Sequence, residues 1–137
     1  MNLETNSKGT IWAIRILTAL VILPFVPSAI MKLMRVPAVT EGFAHLGIPQ
    51  GAIVPLGIIE LTCLAIYLVP RTAILGTLLL TGYLGGAVLA NIIGHTDFIH
   101  AFVVGFLVWA GAWLRVPELR VLLPWRRTET PLRAYAN

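Results

Sequence analysis

Four long apolar runs, at about residues 11–34, 51–69, 72–93 and 98–114, alternate with short breaks in which most of the polar residues collect. A helix that crosses the roughly 30 Å hydrocarbon core of a bilayer takes about 20 apolar residues, so each run has about the length of one span. The pattern predicts an all-α fold, an up-down-up-down bundle of four transmembrane helices at residues 11–115. A polar N-terminal tail at 1–10 precedes the bundle and a basic juxtamembrane tail at 116–137 follows it.

The longest break, residues 35–50, has a pattern of its own. Pro37 is suited to open a short helix that carries Phe43 and Leu46, and Gly47 and Pro49 to end it. This predicts a short interfacial helix between helices 1 and 2, either as a cap over one mouth of the bundle or as a plain amphipathic connector. The first run resembles a secretory signal in having Lys8 and Arg15 ahead of an apolar stretch and Ser28 and Ala29 behind it. It is longer than a signal's apolar region and stays apolar beyond Ala29, so it is expected to be retained as a span. Pro24 and Pro27 lie inside it and predict a kink in its second half.

One position breaks the apolar pattern. Glu60 sits in the middle of the second run, where a carboxylate costs roughly 2.5–3.5 kcal/mol on insertion scales. It must be protonated or turned inward toward a polar neighbour. At 3.6 residues per turn Gly57, Glu60, Cys63, Leu64 and Tyr67 share a face. Tyr83, in the third run, falls at about the depth of Glu60, with Ala87 and Asn91 following on roughly the same side. Lys32, near the end of the first run, either snorkels to the head groups or pairs with Glu60. In the stretch TGYLGGA, Gly82 and Gly86 form a small-xxx-small patch, which together with Gly85 predicts close helix packing.

Composition and charge narrow the function. With 58% hydrophobic and 12% charged residues and a mean hydropathy of +0.86, the 137 residues leave no room for a separate soluble domain. The single cysteine, Cys63, excludes both a CxxC pair and an intrachain disulfide. His95, Asp97 and His100 surround one loop, and two axial ligands on facing helices are not evident, so no metal or haem is expected. Lys8, Arg15, Arg71 and the arginines of the tail fall on one side, Lys32 and Arg35 on the other, which predicts cytoplasmic termini. Trp12, Trp113 and Trp125 fall at the same inner interface. The stretch 118–127 is expected to lie along the inner surface, its positive charge directed at anionic lipid head groups rather than nucleic acid.

Over about residues 12–120 the sequence resembles the DoxX-like family of small four-helix membrane proteins. The stretches that carry the resemblance are SAIMKL (28–33), HLGIP (45–49), GIIEL (57–61), LVPRTAILG (68–76) and LLTGYLGGA (79–87). On matching positions the resemblance points to Lys32, Gly47, Pro49, Glu60, Arg71, Tyr83, Gly85 and Gly86. Where a histidine often follows the GGA motif in the family, this chain has Asn91, and His95 comes a turn later. The wider relatives include a subunit resembling thiosulfate:quinone oxidoreductase, components of redox-stress complexes and proteins of membrane assembly and secretion, so no single activity carries over.

The sequence therefore predicts an integral protein of a bacterial cytoplasmic membrane that is not an enzyme on its own. Its polar interior, assigned to Lys32, Glu60, Tyr83, Asn91 and His95, is expected to bind a lipid-like or quinone-like ligand or a partner membrane protein. One alternative is an accessory subunit that works with a membrane quinone, Glu60 exchanging its proton and a redox partner supplying the electrons. Another is a purely structural polar cluster with no ligand. An ion channel is disfavoured, because the inward polar groups form a local cluster and no continuous path.

Overall fold

A computed structural model describes residues 8–122, and these fold entirely as helices, 3-10 turns and short connections. Helix α1 spans Lys8–Leu33, α2 Pro37–His45, α3 Ile53–Leu68, α4 Ala73–Ile93, α5 Ile99–Arg115 and α6 Pro117–Leu122. The long helix α1 continues through Pro24 and Pro27 as one element. The predicted interfacial helix is present as α2, which begins on Pro37 and buries none of its residues. The N-terminal residues before Lys8, and the tail beyond Leu122 with Trp125 and most of the predicted surface-lying stretch, are outside the described residues.

The helix ends follow local chemistry. Three helices close with a residue in the left-handed region: Arg35 (φ 51°) after α1, Gly47 (φ 70°) after α2 and His95 (φ 53°) after α4. Each end carries the same pair of bonds. Val36 N–H donates to Met31 O and Arg35 N–H to Lys32 O; Ile48 and Gly47 bond to Phe43 and Ala44, and Thr96 and His95 to Asn91 and Ile92. This double closure satisfies the last carbonyls of a helix. By contrast, α3 and α5 end on extended residues, Val69 and Val116, each followed by a proline that disfavours helix at the preceding position.

Four long helices pack in a closed ring: α1 against α3 and α5, and α4 against the same two. The core between them includes Val21, Phe25, Leu64, Tyr67, Leu80, Val108 and Ala112, all buried. The outside of the ring is apolar too. Leu23, Phe102 and Phe106 are each about 70% exposed (69, 70 and 74%), a surface suited to lipid rather than water.

The four-span expectation is met only in its coarser form. Among the described residues, three helical stretches are long and apolar enough to cross a membrane, Lys8–Leu33, Gln50–Leu68 and Pro70–Ile93. The fourth, Ile99–Arg115, has 17 residues, or about 25 Å at 1.5 Å per residue. It is bounded by Asp97, whose Oδ1 accepts from the Ile99 N–H at 2.9 Å, and by Pro117.

Glycine packing falls elsewhere than the small-xxx-small pattern predicts. A Cβ built on Gly82, Gly85 or Gly86 would meet no atom within 4 Å, so among the described residues none of the three seats a neighbour. Close approach lies instead at Gly76, where a Cβ would collide with the Tyr67 backbone. It also lies at Gly57, where one would come to 3.1 Å from Lys32 Cβ and 3.3 Å from Ala29 O. The pattern marks small residues but not which side of the helix faces a partner.

Candidate functional site: a polar floor beneath an apolar cavity

The buried face of α3 comprises Ile53, Gly57, Glu60, Cys63, Leu64 and Tyr67, which contains the stripe expected from helical spacing. Gly57 lets α1 approach α3 closely, and this sets Lys32 opposite Glu60. Both side chains are buried, Glu60 to 2% exposure and Lys32 to 9%. Lys32 therefore pairs instead of snorkelling: its Nζ lies 2.6 Å from Glu60 Oε2.

Two hydroxyls complete the cluster. Lys32 Nζ donates to Ser28 Oγ at 2.7 Å and to the Tyr83 hydroxyl at 3.0 Å, and the Tyr83 O–H donates to Glu60 Oε2 at 3.1 Å. Three helices thus contribute: Ser28 and Lys32 from α1, Glu60 from α3 and Tyr83 from α4. A buried carboxylate and ammonium are tolerable when they are paired and their remaining hydrogen-bonding capacity is largely met. The cluster meets the first condition, and its net charge as an ion pair is zero.

Above this floor lies a cavity of about 730 Å³. Its walls are mostly apolar: Phe25 and Met31 from α1, Leu56 from α3, Ala87 and Ala90 from α4, and Ala101 and Val104 from α5. Val39, Gly42 and Phe43 of α2, with Leu46 just after it, line it as well. One bond ties α2 to the start of the next helical turn, Gln50 Nε2 donating to Thr40 O at 2.8 Å, and Arg35, in the connection before α2, donates from Nη2 to Gln50 O at 2.9 Å.

The residues singled out in the sequence separate into three groups. Lys32, Glu60 and Tyr83 are brought together. Asn91 lines the cavity without joining them; it lies eight residues beyond Tyr83, about 12 Å along α4. Its amide is engaged locally, Nδ2 donating to Ala87 O at 2.8 Å and Oδ1 accepting from Thr96 Oγ1 at 2.6 Å. His95 is exposed, does not line the cavity and forms the left-handed residue that closes α4. Gly82 and Gly86 line the cavity and Gly85 does not, so two of the three packing glycines widen a wall.

Two polar residues that line the cavity were not among the site residues expected from the sequence, Ser28 and His100. Ser28 stands one turn before Lys32 on the same helix, an i, i+4 spacing that puts both on one face and was available as a signal. His100 also lines the cavity. Nothing in its neighbourhood distinguished it from a loop histidine, because only the packing of α5 against α4 brings its end of the helix to the cavity.

No curated protein and no solved structure matches the chain. The sequence model of the DoxX-like family matches residues 16–115, a segment that contains every residue of the polar floor and the whole ring from the third turn of α1 to the end of α5. With its apolar helices and exposed apolar surface, the chain is a membrane protein and belongs to the DoxX-like family.

Proposed function

We propose that this chain is an integral membrane protein that holds a lipid-like or quinone-like amphiphile, its tail against the apolar walls and its polar head on the Lys32, Glu60 and Tyr83 cluster. The observation that carries this reading is a cavity of about 730 Å³ that is apolar along its walls and ends on a buried ion pair. Small-molecule sites typically have volumes of about 300–1,000 Å³, mostly apolar linings and a few convergent polar groups.

In this reading all four long helices cross the bilayer in up-down-up-down order, with both termini cytoplasmic. The short α5 crosses because it packs on α1 and α4, both long enough to span, and a helix a few ångströms short is accommodated by local thinning of the bilayer. Arg15, Arg71 and Arg115 then share the cytoplasmic side and Arg35 faces the other, in keeping with the bias of basic residues toward the cytoplasm.

The test is purification in mild detergent followed by solvent extraction and mass spectrometry of what remains bound, beside the variant Ala87→Trp. This variant adds bulk to the cavity wall and leaves the four polar residues intact. The expected result is a molecule retained by the wild type and reduced about tenfold or more in the variant, the effect of losing roughly 1.4 kcal/mol of binding. A folded wild type that is empty as purified and takes up no added lipid or quinone would overturn the reading. A co-purifying membrane protein in place of a small molecule would assign the cavity to a partner's helix.

A further inference from the structure

The polar floor leaves its occupant a restricted choice of bonds. A lysine ammonium has three N–H donors and no acceptor, and Lys32 directs them at Ser28 Oγ, Glu60 Oε2 and the Tyr83 hydroxyl. The single O–H of Tyr83 is directed at the same carboxylate oxygen. The two obvious donors of the floor are therefore consumed inside the protein.

Two capacities remain among the described residues. Glu60 Oε1 accepts no hydrogen bond, since both bonds to the carboxylate end on Oε2. The hydroxyl hydrogen of Ser28 has no acceptor among the described residues, since the bond made by Ser28 Oγ is the one it accepts from Lys32. Both residues line the cavity, and Glu60 is 2% exposed, so a partner for Oε1 has to come from within it. One unmet acceptor and one unmet donor face the same space.

We propose that the cavity selects an uncharged amphiphile headed by a hydroxyl, whose O–H donates to Glu60 Oε1 while its oxygen accepts from the Ser28 hydroxyl. The inference rests on the reading of the cavity as an amphiphile site and names the chemical class that the site takes. A hydroxyl is both donor and acceptor at a single atom, and it stays uncharged. A ketone or a quinone carbonyl finds the Ser28 donor and leaves Oε1 unmet; a phenol or a quinol, like an alcohol, meets both.

Charge selects in the same direction. Lys32 and Glu60 cancel, so an ammonium or carboxylate head would bring a second, unpaired charge into an apolar surrounding, which is strongly unfavourable. A neutral head adds none.

The experiment titrates the full chain, purified in detergent and stripped of bound lipid, with four probes that share one chain and differ at the head: 2-hexadecanol, 2-hexadecanone, 2-methoxyhexadecane and palmitate. Binding is read by native mass spectrometry at equal micellar mole fraction. The alcohol is expected to bind about tenfold or more tightly than the other three, because each of those leaves a buried polar atom unpaired or adds a charge. In Glu60→Gln the side-chain oxygen still accepts from Lys32 and Tyr83, and the amide N–H₂ takes the place of Oε1, so the preference is expected to turn toward the ketone.

Ser28→Ala, which leaves the ion pair in place, is expected to weaken the alcohol about 3- to 10-fold and decides the matter if Glu60→Gln does not fold. A ketone, ether or carboxylate that binds as tightly as the alcohol overturns the head-group assignment and leaves the cavity reading standing. So does an alcohol affinity untouched by Ser28→Ala. Failure of all four probes to bind a folded wild type overturns the cavity reading as well.

Discussion

Helix α3 meets a cation at two places, seven residues apart, and the two meetings are built in opposite ways. At Glu60 the cation is Lys32, held by an ion pair and two hydroxyls at the edge of a cavity. At Tyr67 the cation is Arg115, whose guanidinium lies 4.1 Å from the ring centroid, while the Tyr67 hydroxyl donates to Val108 O at 3.1 Å. There the space is full. Tyr67 is 0% exposed, its hydroxyl lies 2.5 Å from where a Cβ on Gly111 would stand, and its backbone fills the place of a Cβ on Gly76. Around Glu60, a Cβ on Gly82 or Gly86 would meet nothing.

The two ends share polar chemistry but not room. At Tyr67, glycines are used to bring backbone and ring into contact: Gly76 seats α4 against the Tyr67 backbone, and the polar contacts to Val108 O and Arg115 lock α3 to α5. At Glu60, Gly57 brings α1 close on one side, while Gly82 and Gly86 keep a wall thin beside a space that no side chain of the described residues fills. A buried charge by itself therefore distinguishes neither a site nor a lock; the volume next to it does.

The largest effect expected separates the two cations. Lys32→Leu leaves the Glu60 carboxylate buried without its counter-charge, which typically costs about 3–5 kcal/mol. Arg115 has no carboxylate partner among the described residues, so Arg115→Leu should cost chiefly its cation–π contact, about 1 kcal/mol. Thermal unfolding in detergent, followed by size-exclusion chromatography, measures both. The double change Lys32→Leu/Glu60→Leu should regain most of the loss of the single one. Equal losses for Lys32→Leu and Arg115→Leu would erase the distinction.

Next in size is the lock itself. A methyl at Gly76 meets the Cα and N of Tyr67, which are backbone and cannot swing aside, so α3 and α4 must separate. Gly76→Ala is expected to lower stability by about 3 kcal/mol, at the upper end of overpacking costs, and to reduce the yield of monodisperse protein. A melting temperature equal to the wild type would mean that the two helices are not in contact there.

How much of this was legible in the sequence depends on whether a feature is periodic or spatial. The buried face of α3 could be read directly, because Gly57, Glu60, Cys63, Leu64 and Tyr67 recur with the helical period. The depth of Tyr83 followed from counting residues along a span. Pairing by Lys32 did not follow, since a lysine near a helix end serves equally well as a snorkel; the close approach at Gly57 decides between the two. His95 was weighed as a site residue on its chemistry, yet its backbone closes a helix in a conformation more often taken by glycine. The apolar run at 98–114 matched α5 in length and to within one residue at each end, where Asp97 and Pro117 bound it, but a helix of 17 residues is not by itself long enough to count as a span.

The smallest expected effect bears most directly on the glycine reading. Gly86→Ala adds a methyl on the cavity wall where no atom lies within 4 Å, so it removes no contact and creates no clash. Alanine is favoured over glycine inside a helix by about 0.5–1 kcal/mol, and Gly86→Ala should therefore leave the melting temperature unchanged or raise it slightly. The same substitution separates two uses of the pattern in which Gly82 and Gly86 stand. If the patch served to seat a helix from a second copy of the chain, the added methyl would push that helix away and destabilise the assembly, as Gly76→Ala does within the chain. A neutral or stabilising Gly86→Ala, with an unchanged elution volume, leaves the wall of the cavity as what these glycines form.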